Sequence, residues 1–498
     1  MPTHKVTPES QRWKALGFIS LAQLMVALDS TIVNIALPNA QHALGISDAN
    51  RQWAITAYAL AFGGLLLLGG RIADKWGRKR AFTVGLLGFA MASAIGGLAT
   101  NEVLLFGSRA LQGVFGALLA PAALSLITVT FTDVKERAKA FGVFGAIAGA
   151  GGAVGLLLGG ILTEYLNWRW TFFVNIPFAI VAAVGVALVV HEPAEGRHRA
   201  PLDIPGAILS TLGLVALVYG FTRAETSGWA STSTIGLLAA SVVLLAAFVV
   251  VETKMNTPLL PLRVLTERVR GGAYASMALA VVGQFGVFLF LTYYLQVVQG
   301  YSAVRTGLAF LPLALSFVVG ATQIGARLTT RLSARTLMTG GFLVGTVGML
   351  LMTQLSTGSP YFALILPALV LQGVGMGAAI MVAMSLSTHG VRPQDAGVAS
   401  AMANVSQQVG GAVGTALLNT IAASATGGYL VSHAVGGELA QAQALVHGYT
   451  AAIWWAAGAM AAAALIAAVL VRPGRSDSLR VGSGNTGVHE ERVPTIAH

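Results

Sequence analysis

LQGV stands at residues 111–114 and again at 371–374, and GGAVG at 151–155 and again at 410–414. The offsets are 260 and 259 positions. A weaker echo runs in the same order, GRIADKWGRKR at 70–80 against GARLTTRLSAR at 325–335. One glycine-rich match can come from composition alone, but three in order at nearly one offset read as an internal duplication. Each copy sits among long apolar stretches, so the duplicated unit is a set of membrane spans.

Composition agrees. Of 498 residues 55% are hydrophobic and 10% charged, with mean hydropathy +0.74. A soluble domain carries about 25% charged residues, so lipid must cover much of this surface. The 60 glycines follow no collagen-like period and fit closely packed membrane helices. With no cysteine, disulfides, thiol catalysis and cysteine metal sites are excluded.

A spanning helix needs about 20 mostly apolar residues. Candidate spans are 15–37, 53–69, 81–98, 103–130, 141–162, 170–190, 204–221, 235–251, 273–297, 308–324, 337–355, 361–385, 398–424 and 451–470. The shorter stretches 235–251 and 308–324 are the weakest of these. The N-terminal stretch 15–37 is too long for a signal-peptide core and has no cleavage site after it, so it reads as a retained span. Each repeat match moves by eight spans. Two six-span halves with an extra pair, 204–221 and 235–251, between them account for that. The expected division is a cytoplasmic N-terminus (1–14), a first six-helix bundle (15–190), the two inserted helices with flanking cytoplasmic loops (191–270), a second bundle (271–472) and a disordered cytoplasmic tail (473–498).

Alternate loops share a side. One set carries 25 of the 30 lysines and arginines, the other only Arg51, Arg169, Arg223 and Arg305, and Arg109 lies inside a span. The positive-inside bias puts both termini in the cytoplasm and fits an even span count. It also accounts for the net charge of +11 without nucleic acid. Abundant Gly, Ala and Arg with little Lys fits a GC-rich bacterial genome, hence the bacterial inner membrane.

Several motifs together resemble the major facilitator superfamily, in its fourteen-span drug:proton antiporter branch, over nearly the whole chain. They are GRIADKWGRKR at 70–80, LDSTIVNIALP at 28–38, Arg109 with Gln112, Gly113 and Gly116, GGAVGLLLGG at 151–160, WRWTFFVNIP at 168–177 and YYLQVVQGYSAVRTG at 293–307. One departure is Leu156, which stands where the family's fifth-span motif has proline. The resemblance implies an all-α major facilitator fold, proton-coupled export, and control of the inward-closed state by the loop at 70–80.

Asp29 is the one acidic residue placed deep inside a span. A carboxylate there is costly, faces a cavity or partner, and can bind and release a proton. Arg109 is about six residues into its span, roughly 9 Å, and Asp29 about fourteen from the inner end of its own, roughly 21 Å. In a core of about 30 Å the two lie at comparable depth, so they can form a proton-coupling pair or a static ion pair. Gly70 and Gly77 suit a tight turn in the basic loop, with Asp74 and Arg78 a latch beside it, or the loop's basic residues simply anchor it inside. Gly151, Gly155 and Gly159 share a face at GxxxG spacing, for which the family resemblance implies a leak-tight contact between the halves. Substrate-pocket candidates are Asn34, Gln112, Gln284, Phe288, Tyr293, Gln296, Met376, Asn404, Gln407 and Gln408, few polar groups in apolar surroundings. Trp53, Trp168 and Trp170 fit interfacial anchors.

No GxxxxGK[ST] phosphate loop or HExxH metal pair is present. The expectation is a transporter rather than an enzyme, without cofactor or metal, that moves a small-molecule substrate against protons across the lipid bilayer. Uptake symport or passive facilitation on the same fold is an alternative, because fold does not fix direction. A membrane sensor is a third reading, but it would be expected to carry a sizeable soluble signalling domain.

Overall fold

A computed structural model describes residues 9–48, 50–131, 133–190, 203–255, 258, 260–328, 331–388, 391, 396–433 and 438–471. Among these residues regular structure is entirely helical. The long helices are α1 (Glu9–Leu44), α2 (Trp53–Trp76), α3 (Arg78–Gly97), α4 (Glu102–Thr130), α5 (Val134–Tyr165), α6 (Asn175–Val189), α7 (Ile204–Ser227) and α8 (Thr232–Lys254). They continue with α9 (Arg268–Tyr293), α10 (Ala303–Val319), α11 (Ala334–Met352), α12 (Leu366–Thr388), α13 (Ala396–His433) and α14 (Glu438–Leu470). Thirteen stretches are long and apolar enough to cross a membrane, and α5 adds a fourteenth rod whose described apolar part is Val154–Tyr165. The chain is a multi-pass membrane protein. Both short stretches of the sequence reading are full spans: 235–251 lies inside α8, and 308–324 runs through α10 into a π-type turn, Gly320–Ala326. Residues 473–498, expected as a disordered tail, lie outside the described part.

Helix starts are set by short polar side chains that accept orphan N–H groups. Asn101 Oδ1 accepts from Leu104 N at 2.9 Å ahead of α4, and Ser302 and Ser333 do the same for α10 and α11. The expected loop at 70–80 is largely absent. Gly70 to Trp76 complete α2, and α3 begins at Arg78. The whole reversal falls on Gly77, whose φ of 101° lies where a side chain would be strained. Gly70, expected in the turn, is helical and meets Pro121 only at ordinary contact distance, while its neighbour Gly69 is pressed onto the Ala117 carbonyl.

The duplication is visible in the packing. Helix α4 lies on α2 and α3, as α12 lies on α10 and α11; α1 packs on α5 as α9 packs on α13. The second letter pair of LQGV explains part of this. A Cβ on Gly113 would sit 2.5 Å from the Tyr58 carbonyl oxygen of α2, and one on Gly373 would sit 2.5 Å from the Leu313 carbonyl oxygen of α10. Both glycines let two backbones touch without a side chain between them. The halves meet through α2 against α13 and α5 against α10.

The inserted pair packs on itself and along the α2–α13 seam through α7. Gln52 Nε2 donates to Thr222 Oγ1 at 3.3 Å, and Thr420 Oγ1 donates to the Phe221 carbonyl at 3.0 Å. Helix α8 lies outermost, with Val242 and Val243 exposed to the surroundings. Two carboxylates are buried at the other end of the pair: Asp203 caps α7 by accepting from Gly206 N at 2.8 Å, and Glu252 accepts from Leu260 N at 3.0 Å.

Gly113→Val and Gly373→Val are each expected to cost about 1–3 kcal/mol or more through overpacking. The check is a lowered melting temperature of the purified protein in detergent, with Gly340→Val, which has open space around it, as the unaffected control.

Candidate functional site

Asp29 and Arg109 meet inside the first half. Asp29 is fully buried and Arg109 is 1% exposed. Arg109 Nη1 donates to Asp29 Oδ2 at 2.6 Å and to Gln112 Oε1 at 2.7 Å. Asp29 Oδ1 accepts from Gln112 Nε2 at 2.9 Å and from Asn175 Nδ2 at 2.8 Å. Ser93 Oγ accepts from the same two amides, at 2.7 Å from Gln112 and 3.3 Å from Asn175. Arg109 Nε donates to the Ala54 carbonyl at 2.9 Å, and the guanidinium carbon stands 4.6 Å from the centre of the Tyr58 ring.

Five elements supply this knot: α1 (Asp29), α2 (Ala54, Tyr58), α3 (Ser93), α4 (Arg109, Gln112) and the start of α6 (Asn175). Gln112 is one turn beyond Arg109, so both side chains project the same way. Asn175 opens α6 just after a short turn, Trp170–Phe173. Such an ion pair, away from water, is tolerable only when its remaining hydrogen-bonding sites are answered. Both carboxylate oxygens and the Nε and Nη1 donors have partners here, and among the fully buried side-chain atoms of the knot only Asn175 Oδ1 has no hydrogen-bond partner among the described residues.

The sequence reading brought Asp29 and Arg109 together correctly in depth but missed Asn175, Ser93 and Tyr58. It placed Gln112 in a substrate pocket. The structure instead commits both ends of that amide to the knot, with no exposed surface. Asn34, another pocket candidate, is 4% exposed and donates back to the Ser30 carbonyl of its own helix at 3.1 Å. In the second half, Gln284 accepts from Gln372 Nε2 at 3.3 Å, and Phe288 stacks on Phe310 with ring centres 5.2 Å apart. Gln407 reaches Met384 Sδ at 3.8 Å, Gln408 packs over Gly63 of α2, and Asn404 is half-buried on the same helix. Met376 is buried in the core of the second half.

Tyr293 and Gln296 belong to neither pocket nor knot. Gln296 Nε2 donates to the Ile35 carbonyl at 3.0 Å, and the Tyr293 hydroxyl donates to Gln41 Oε1. Both bonds join α1 to the far end of α9 and the π-type turn that continues it, Tyr294–Val298. More cross-links lie beside them. Arg51 Nε donates to Asn419 Oδ1 at 3.2 Å, and Asn419 Nδ2 donates to Asp48 O and Gln52 Oε1. Val304 N donates to Glu164 Oε2 at 2.8 Å. These bonds seal the halves together at the end opposite the basic loops. Sequence reading had used Arg51 only as a loop charge.

The three motif glycines of α5 do not touch the other half. A Cβ on Gly151 would lie 2.6 Å from Ala27 Cβ, one on Gly155 would collide with Thr31 and lie 3.0 Å from the Leu28 carbonyl, and one on Gly159 would lie 2.8 Å from Ile32. All three contacts are with α1. The contact between halves is made next door: a Cβ on Gly160 would lie 2.7 Å from the Ala303 carbonyl, and one on Gly307 would lie 2.5 Å from the Leu156 carbonyl. Helix α5 carries no proline and runs unbroken through Leu156.

At the opposite end of the molecule, Lys79 Nζ caps α6 by donating to the carbonyls of Ala187 and Val190 at 2.8 and 2.7 Å. Arg12 pairs with Glu136 at 2.6 Å, which ties α1 to α5. Arg78 is half-buried at the start of α3; the side chain of Asp74, its expected latch partner, lies outside the described part. Of the three tryptophans expected as interfacial anchors, Trp170 is exposed but Trp168 is buried, with its ring 4.5 Å from the Arg169 guanidinium carbon.

Removing one member of a buried ion pair costs about 3–5 kcal/mol. Arg109→Ala should therefore lower the melting temperature sharply, and adding Asp29→Asn should recover part of the loss. Equal stability of the Arg109→Ala and parent proteins is the outcome that contradicts a buried pair.

The family description Major Facilitator Superfamily matches residues 19–415. The puromycin resistance protein of Streptomyces alboniger is 52% identical over 93% of this chain and 92% of its own length. The cephamycin export protein of Amycolatopsis lactamdurans is 38% identical over 86% and 88%, and the tetracenomycin C resistance and export protein of Streptomyces glaucescens 34% over 83% and 77%. Among solved structures, a bacterial homologue of the human lysosomal transporter Spinster superposes with a TM-score of 0.69 at 16% identity, over 94% of this chain and 98% of that one. A peptide transporter superposes with 0.66 at 17% identity, over 93% and 95%. Both share the fold. With its duplicated helical halves and a match over most of its length, the chain belongs to the Major Facilitator Superfamily.

Proposed function

We propose that this protein is a secondary active transporter of the bacterial cell membrane that expels small amphipathic, drug-like molecules in exchange for protons. Relatives named for antibiotic export and resistance support export as the direction and small molecules as the cargo. Membership of a transporter family supports a non-enzymatic role. The observation that carries proton exchange is the Asp29–Arg109 knot: a carboxyl group with no exposed surface, hydrogen-bonded by one guanidinium and two amides.

A proton arriving on Asp29 removes the charge that Arg109 answers. The acid then becomes a hydrogen-bond donor, and the unused Asn175 Oδ1 is an acceptor for it once that amide reorients. Arg109 keeps its charge and must find other acceptors, so the knot has two arrangements with different helix contacts. The movement has a short physical route to the interface. Leu28 and Thr31 flank Asp29 and press on Gly155 of α5; the next residue, Leu156, offers its carbonyl to Gly307 of α10. A shift of α1 is thus felt two contacts away, where the halves slide on each other.

In this reading the basic end and both termini face the cytoplasm, and the sealed end faces outward. Gln284, Phe288, Asn404, Gln407 and Gln408 of the second half are the pocket side chains that keep some exposure. Cargo and proton then occupy different halves, and their exchange runs through the interface between them.

In inverted vesicles loaded with a pH-sensitive dye, adding puromycin or a panel of cationic and neutral drugs should collapse a preformed proton gradient. Asp29→Asn should reduce that collapse by at least about tenfold, a barrier change of about 1.4 kcal/mol. Undiminished collapse removes Asp29 from the coupling role. Separately, a tag placed after His498 should be protected in intact cells and exposed in inverted vesicles; the reverse pattern overturns the assignment of sides.

A further inference from the structure

Arg51 is the most confined cation outside the knot. It precedes α2, in the first half, yet its side chain is buried in the second. Its guanidinium carbon stands 4.1 Å from the centre of the Tyr293 ring and 6.0 Å from that of Tyr449. Its Nε donates to Asn419 Oδ1 at 3.2 Å. Phe290 backs the cage, stacked on Tyr449 with ring centres 5.5 Å apart. Among the described residues the only carboxylate in contact is Asp48, 3.2 Å from Nη1, and it comes from the same half as Arg51. Asp48 is largely exposed, with 62% of its side-chain surface free.

The socket and its plug therefore sit on different moving bodies. When the sealed end opens, Arg51 and Asp48 leave together. What stays on the second half is two phenol faces and an amide oxygen, with no fixed charge of its own among these residues. Aromatic faces attract weakly hydrated organic cations, each at about 0.5–2 kcal/mol. A cage without a carboxylate binds them loosely and offers nothing to hydrated metal ions, whose dehydration it cannot repay. Loose binding is what a release site needs.

We infer that the Tyr293–Tyr449–Asn419 socket is a second cargo subsite, occupied only while this end is open, for the charged group of an organic monocation. Arg51 and the cargo use the same ring faces, so they exclude each other. Re-entry of Arg51 as the halves close expels the cation and blocks its return. The inference rests on the exporter reading above, in which the sealed outer end opens to let cargo out, but it does not depend on proton exchange.

The test uses the full chain in lipid nanodiscs at equilibrium, with phenyltrimethylammonium as the probe and tert-butylbenzene as its neutral isostere. Arg51→Ala unplugs the socket and should tighten phenyltrimethylammonium binding about tenfold. Adding Tyr293→Leu should abolish that gain, while tert-butylbenzene follows neither change. Equal affinity of the parent and Arg51→Ala proteins, or a gain that survives Tyr293→Leu, overturns the inference. A second readout needs no unplugged variant. The chain has no cysteine, so Asn419→Cys gives a single thiol inside the socket. An impermeant maleimide added outside should label it, and phenyltrimethylammonium should slow labelling several-fold where tert-butylbenzene does not. Absent labelling, or labelling indifferent to the cation, also overturns it. Neither readout uses a proton gradient, so failure of the antiport reading and failure of this one are separable.

Discussion

The ion pair between Asp29 and Arg109 fixes the arrangement of the helices around it. In a medium that cannot solvate charge, a carboxylate must have its donors supplied by protein. Gln112 and Asn175 complete that supply, Ser93 accepts a hydrogen bond from each of their amides, and every one of them comes with a helix attached. The rotation of α1 about its own axis is thereby set. Asp29 must face α4, so Ala27, Leu28 and Thr31 present the adjoining face to α5, where only glycines fit. The glycine ladder of α5 and the charged knot are two sides of one helix.

The two halves share a scaffold and divide the chemistry. Gly113 and Gly373 make the same backbone contact at the same place in each copy. One residue earlier, Gln112 and Gln372 also correspond, but their neighbours do not. Leu369 stands 260 positions after Arg109, and Gln372 finds only the neutral Gln284. After duplication the packing was kept in both halves, while the charge remains in one. The first half holds a buried ion pair and the second offers aromatic and amide surface.

Much of this was readable in the chain, for physical reasons. Length and apolarity alone define a span, so thirteen of the fourteen stretches recur as spans among the described residues, including 235–251 and 308–324, and 141–162 lies within the long helix α5. A charged side chain in a span is so rare that Asp29 and Arg109 identified themselves, and the rise per residue matched their depths. Asn175 and Ser93 gave no such signal. Neutral polar residues are common in spans, and which way each faces depends on helix rotation, which the sequence does not state. The same ignorance put Gln112 in a pocket and assigned Gly151, Gly155 and Gly159 to the wrong neighbour; Gly160, the next residue in the motif, faces the other half. Gly70 was read with Gly77 as part of a tight turn, but Arg71, Asp74 and Lys75 continue the helix and only Gly77 ends it. Arg51 was invisible as a site because a loop position says nothing about where a long side chain ends.

The inserted pair, α7 and α8, is fastened to both halves at the sealed end, to the first by Gln52 and Thr222 and to the second by Thr420 and the Phe221 carbonyl. A hydrogen bond tolerates only a few tenths of an ångström of stretch. The halves cannot part there with both fastenings intact. One must give way, and the pair then rides as baggage on whichever half retains it. On the proposed transport cycle one body then carries six helices and the other eight, the pair staying with the half it grips more firmly through packing of Val218 and these hydrogen bonds together.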